Sequence, residues 1–122
     1  MSKTILAIDD SPSVLQMISL TLSSAGFRVV EAVDGADGYA KAVANPIDAV
    51  ITDLNMPRLN GLEFIRKYRN HPSSAGVPVI FLSTESDVTS KNEAKAAGAT
   101  GWIVKPFKQD QILAILKKVL GA

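Results

Sequence analysis

Five short apolar runs alternate with segments of helical spacing along this chain, and that alternation constrains the fold more than any other feature. The runs are Thr4–Ile8 (TILAI), Phe27–Ala32 (FRVVEA), Ala49–Thr52 (AVIT), Val77–Leu82 (VPVIFL) and Trp102–Val104 (WIV). Three are nearly continuous in apolar and β-branched residues, as strands covered on both faces are. After the first run, Leu15, Ile18, Leu22 and Ala25 step by three and four and stop at Gly26. Ser11 followed by Pro12 is a helix start: a capping side chain, then a residue suited to the first helical position. Gly61 opens a further helical stretch, Leu62 to Tyr68, with Phe64, Ile65 and Tyr68 on one side. Ile112, Ile115, Leu116 and Val119 repeat the pattern before Gly121. Five βα units predict an α/β fold, a parallel sheet with helices on both faces. From Thr89 to Ala99 the chain carries alanine where the other helices carry leucine or isoleucine. That segment is expected to bury little, as an edge helix or as a surface that can shift.

Composition narrows the class. At 122 residues, 1–122 reads as one domain with no appended output domain. With 47% apolar residues the chain can bury roughly two-thirds of its unfolded surface and needs no crosslinks. A net charge of +1, without blocks of like charge, gives no general attraction to nucleic acid or membrane. The absence of cysteine removes disulfides, thiolate metal sites and a cysteine nucleophile. MSKT lacks the apolar core of a signal peptide, and no run of about 18 apolar residues could span a bilayer. The expectation is a soluble cytoplasmic domain.

Polar residues gather where the strands end. Asp9 and Asp10 follow the first run, Asp53 the third, Ser83 the fourth (then Thr84 and Glu85), and Lys105 the fifth, before Pro106. In a parallel sheet those ends share one edge, where ligands bind. Two carboxylates about 4 Å apart repel by about 4 kcal/mol at an effective dielectric near 20. Three together force a proton onto one of them or recruit a cation. One lysine cannot balance three acids. A divalent ion can, and oxygen-only ligands suit magnesium, which keeps several waters and is completed by phosphate oxygens. Magnesium, a lysine, a hydroxyl and a nucleophilic carboxylate are the equipment of phosphoryl transfer. Simpler roles exist for each residue alone. Asp10 could cap the first helix, but Ser11 serves equally, so capping explains one acid and not two. Ser83 or Thr84 could cap the fourth helix, and Lys105 could be a solvated lysine. Their convergence on one edge carries the argument.

This ordered set resembles the receiver domain of bacterial response regulators: DD after strand one, DLNMP with the glycine of LNG eight residues past Asp53, a hydroxyl residue after strand four, and KPF after strand five. EAVDG, STES and GATGWIVKPF further resemble the CheY-like, stand-alone chemotaxis subgroup. The resemblance implies a flavodoxin-like, doubly wound (βα)5 fold with strand order 2-1-3-4-5. It implies that Asp53 accepts a phosphoryl group from phosphohistidine on a CheA-like kinase. Asp10, Asp53 and the Asn55 carbonyl would ligate Mg2+, with Asp9 acting through water. Lys105 would bind one phosphoryl oxygen, and Ser83 would move to donate to another. A cis bond before Pro106 would aim the lysine. Trp102 takes the place of the family's switch aromatic, against the plainer reading of a strand-end apolar residue. Asn55, Thr84 and Glu85 occupy positions that tune dephosphorylation; the bulk of Thr84 is expected to slow hydrolysis. Implied partners are a flagellar motor switch protein and a phosphatase, with the chain a monomer.

Other classes compete. A magnesium-dependent phosphohydrolase with an aspartyl-phosphate intermediate shares the chemistry, but the haloacid-dehalogenase type needs D-x-D after strand one, where Asp9 and Asp10 are adjacent. A Rossmann nucleotide module needs G-x-G-x-x-G, where DDSPS places negative charge. A phosphate sink or relay receiver would use the same residues and stays open. His71, in the polar stretch NHPSSAG, is set aside as a phosphohistidine because nothing in its neighbourhood presents it.

Overall fold

The structure is a computed structural model and describes residues 3–54, 60–83, 88–105 and 107–121. Five strands, β1 (Thr4–Ile8), β2 (Arg28–Ala32), β3 (Ala49–Asp53), β4 (Val79–Ser83) and β5 (Gly101–Val104), alternate with five helices. These are α1 (Pro12–Ser24), α2 (Gly35–Ala44), α3 (Gly61–Arg69), α4 (Val88–Ala96) and α5 (Gln109–Leu120), with a 3-10 turn at Pro72–Ser74. The strands form one parallel sheet in the order β2-β1-β3-β4-β5. This is the doubly wound order expected, and its switch point lies between β1 and β3.

Strand periodicity divides the core in two. Leu6, Ile8, Val50, Val79 and Phe81 point to one face and pack with Ala42 of α2, Phe64, Ile65 and Tyr68 of α3, and Ala94 of α4. Ile5, Ala7, Ile51, Ile80 and Leu82 point to the other and meet Leu15, Ile18 and Leu22 of α1 and Ile112 and Leu116 of α5. β1, β3 and β4 are thus buried on both sides, which is why their sequences read as unbroken apolar runs.

The boundaries depart from the sequence reading by a residue or two. Phe27 precedes β2, its N–H closing the turn after α1 on the Leu22 carbonyl. β4 begins at Val79 and not Val77, since Pro78 has no N–H for the ladder. β5 begins at Gly101, where a Cβ would come within 2.7 Å of Ile115 Cδ1. Ala25 lies past the end of α1 and is exposed, so the buried stripe closes at Leu22. α4 is the sparsely packed helix the alanines predict: Ala94 is buried, while Lys91, Asn92, Glu93, Lys95 and Ala96 are exposed. Among the described residues no helix is long and apolar enough to cross a membrane.

Candidate functional site

The strand ends place the acids as their order along the chain demands. Asp9 extends β1 by one residue, its N–H donating to the Ala32 carbonyl at 3.1 Å. Its carboxylate is fully buried and accepts from the Ser11 N–H at 2.9 Å. The Ser11 hydroxyl caps α1 by accepting from the Val14 N–H, with Pro12 at the first helical position. Capping therefore falls to Ser11, and Asp10 is exposed at the helix start. Asp53 is the last residue of β3, 8% exposed. One carboxylate oxygen from each of Asp9, Asp10 and Asp53 lies within 4.8 Å of the others.

Lys105 follows β5 directly, its N–H bonded to the Ser83 carbonyl at 2.6 Å. Its Nζ stands 3.1 Å from Asp9 Oδ2 and 3.5 Å from Asp53 Oδ2. Among the described residues a single ammonium thus faces three carboxylates, the imbalance expected from the sequence. Burial, and then the charge of Asp9, push the Asp53 carboxyl above the ordinary value of 3.8, with Lys105 pulling against them. A cluster of hard oxygen donors with excess negative charge fits a divalent cation such as magnesium. Ser83 ends β4, fully buried, opposite Val104 and so one position from Lys105. The structure therefore brings Asp9, Asp10, Asp53 and Lys105 together and sets Ser83 at the same sheet edge. Asn55, Thr84, Glu85 and Pro106 lie outside the described residues.

Trp102 is the second residue of β5, not its end, and its ring is half-buried with its centroid 6.0 Å from that of Phe81. His71 sits at the far end of α3 from Asp53, where its Nδ1 accepts from the Ser73 N–H at 3.1 Å and its ring meets Tyr39 edge-on. That contact gives it a structural task in the turn.

The sequence reading missed what shapes the backbone at Asp53. The Thr52 hydroxyl donates to the Asp53 carbonyl at 3.0 Å. The Gly61 N–H donates to the Leu54 carbonyl at 2.9 Å. A Cβ on Gly61 would lie 2.6 Å from the Asp53 carbonyl oxygen and 3.0 Å from Leu54 Cα, so this position needs room and not an unusual φ. A hydroxyl just before the acid and a glycine at the head of α3 were the available signals, but neither reveals the contact without the fold.

Comparison with known proteins agrees with this geometry. Residues 5–117 match the family model described as response regulator receiver domain. The structure superposes on the chemotaxis protein CheY4 of Vibrio cholerae with a TM-score of 0.95 at 42% identity, covering 98% of this chain and 100% of that one. It also matches the receiver domain of the sensor histidine kinase PA1611 from Pseudomonas aeruginosa, solved with a magnesium ion coordinated in its active site cleft. That match has a TM-score of 0.91 and 28% identity, and covers all of both chains. Among curated proteins, the DNA-binding dual master transcriptional regulator RpaA of Synechocystis is 33% identical over 116 residues, 95% of this chain and 48% of RpaA. The transcriptional regulatory protein KdpE of Mycobacterium tuberculosis is 35% identical over 113 residues, 93% and 49% respectively. The chain spans about half the length of these curated relatives. With the family model spanning residues 5–117, nearly the whole chain, this chain belongs to the response regulator receiver domain family.

Proposed function

We propose that Asp53 is the phosphoacceptor of a CheY-like response regulator, charged in the cytoplasm by a CheA-like histidine kinase. The observation that carries this is the meeting of Asp9, Asp10 and Asp53 within 4.8 Å, with Lys105 against two of them. The nucleophile we assign is Asp53, which ends the central strand, 8% exposed, with Asp9 and Asp10 beside it just after β1. Its carboxylate oxygen attacks phosphorus, the P–N bond of phosphohistidine breaks, and the electron pair returns to the imidazole. Asp10, Asp53 and the carbonyl of Asn55 would hold Mg2+, with Asp9 acting through water, and the ion would supply charge neutralisation at the phosphoryl oxygens. Lys105 neutralises a further oxygen, and the Ser83 hydroxyl donates to another. Asn55, Thr84 and Glu85 set the lifetime of the acyl phosphate, and Thr84→Ala should shorten it. The chain acts catalytically only on its own phosphorylation and hydrolysis. Acetyl phosphate with Mg2+ should add one phosphoryl group by intact mass, and Asp53→Asn should abolish it. Labelling at another residue would overturn the assignment.

A chemotaxis role is supported by the 42% identity to the chemotaxis protein CheY4 over the whole of that chain, and a flagellar motor switch is the output partner of this proposal. A flagellar motor switch peptide should bind more tightly when beryllofluoride and Mg2+ occupy the site, as a population shift requires. Equal affinity in both states would favour a phosphate sink or relay. Sustained turnover of generic phosphate monoesters would instead favour a phosphohydrolase.

A further inference from the structure

The contacts around Phe81 give this chain a second link between the acid site and the edge of the sheet, distinct from Ser83. Thr52, Phe81 and Trp102 are partners across β3, β4 and β5, side by side on the α2–α4 face. The Phe81 ring is fully buried. On one side it meets the head of α3, where a Cβ on Gly61 would lie 2.7 Å from Phe81 Cε1. On the other it meets the indole of Trp102, centroid to centroid 6.0 Å and tilted by 51°. Gly61 in turn rests on the Asp53 carbonyl and donates to that of Leu54. The Thr52 hydroxyl holds the Asp53 carbonyl from the strand side. The backbone that carries the phosphoacceptor is therefore in van der Waals continuity with Trp102 through two groups, Gly61 and the Phe81 ring.

We infer that Phe81 is a coupling residue. It transmits displacement of the Asp53–Leu54 backbone, through the head of α3, to the packing of Trp102. Close-packed interiors transmit such displacements because they have no slack, and a rigid ring with no exposed edge has none to give. Gly61 is required on this account because any side chain would wedge the strand end, the head of α3 and the ring apart at once. Phe81 touches neither metal nor phosphoryl group, so its role is positional. The inference rests on the proposed role of Asp53.

Trp102 is the sole tryptophan, so emission excited selectively in the indole band, away from Tyr39 and Tyr68, reports its surroundings. In the native chain, beryllofluoride with Mg2+ should change that emission. Phe81→Leu should reduce the ligand-dependent change by about threefold or more. Phosphorylation at Asp53 by acetyl phosphate and the midpoint for Mg2+ should stay close to native. Phe81→Met, which keeps the length of the side chain without the ring, serves where Phe81→Leu lowers stability too far, with thermal unfolding as the check. A merely structural Phe81 would alter baseline emission and leave the ligand-dependent change intact; that result would overturn the inference, as would a native chain that takes up beryllofluoride without any change in emission. A native chain that acetyl phosphate does not label at Asp53 would overturn the proposed chemistry and the inference with it. Labelling at Asp53 together with an emission change indifferent to Phe81 would overturn the inference alone.

Discussion

α1 and α4 both start at the sheet edge that carries the acids, yet they are held in opposite ways. α1 is capped by Ser11, opened by Pro12, and buries Leu15, Ile18, Thr21 and Leu22 along its length. Of the side chains described in α4, Ala94 is buried and the rest of Lys91–Ala96 are exposed. The exit of α4 is held by a neighbouring helix. Gly98, at φ 106°, turns the chain, and the Arg69 guanidinium bonds the Gly98 carbonyl at 2.9 and 3.3 Å and the Ser74 carbonyl at 2.8 Å. Asp9 and Asp10 therefore precede a well-anchored helix, and Ser83 precedes one whose described side chains are mostly exposed. A helix with few buried contacts is the element that a small energy can displace. That arrangement suits a site whose metal half stays in place while its reporting half moves.

The contrast can be tested by substitution, beginning where the effect should be largest. Leu22→Ala, in the buried stripe of α1, should cost about 3 kcal/mol in chemical denaturation. A loss under about 1 kcal/mol would mean α1 is no better anchored than α4. Arg69→Met removes a charged donor from two carbonyls and should cost about 2 kcal/mol. Amide exchange should accelerate around Gly98 and Ala99 and stay native in α1; uniform acceleration would deny Arg69 a local role at the exit of α4. Ser11→Ala should cost about 1 kcal/mol through loss of the cap. Asp53→Asn should act in the other direction, stabilising the metal-free protein near neutral pH. The sign follows from linkage. A carboxyl raised above 3.8 keeps its proton in the folded state where the unfolded chain has lost it, so stability falls as pH rises through that window. The variant should lose this slope, and an unchanged slope would place the repulsion elsewhere.

Much of the site could be read in the sequence because its residues stand at punctuation points. Asp9, Ser83 and Lys105 each mark the end of an apolar run, and Asp53 closes AVITD. Parallel topology brings such ends together whatever the details of packing. The capping role of Ser11 was also local and legible. Arg69 was not, because nothing in FIRKYR announces that its guanidinium reaches Gly98, in the turn between α4 and β5. Phe81 was unreadable for a related reason: within VIFLS it is one apolar residue among several.

The sequence by itself determined the (βα)5 alternation, the edge at which the acids meet and their excess over the one lysine beside them. These follow from periodicity and charge, which are properties of short stretches. Only the tertiary structure decided that Asp9 is buried and Asp10 exposed, and that Lys105 divides itself between Asp9 and Asp53. It alone decided that Gly61 must be small and that Phe81 lies between the head of α3 and Trp102. Those outcomes depend on register across the sheet and on how side chains from distant segments fill one volume, and neither is encoded in any single run.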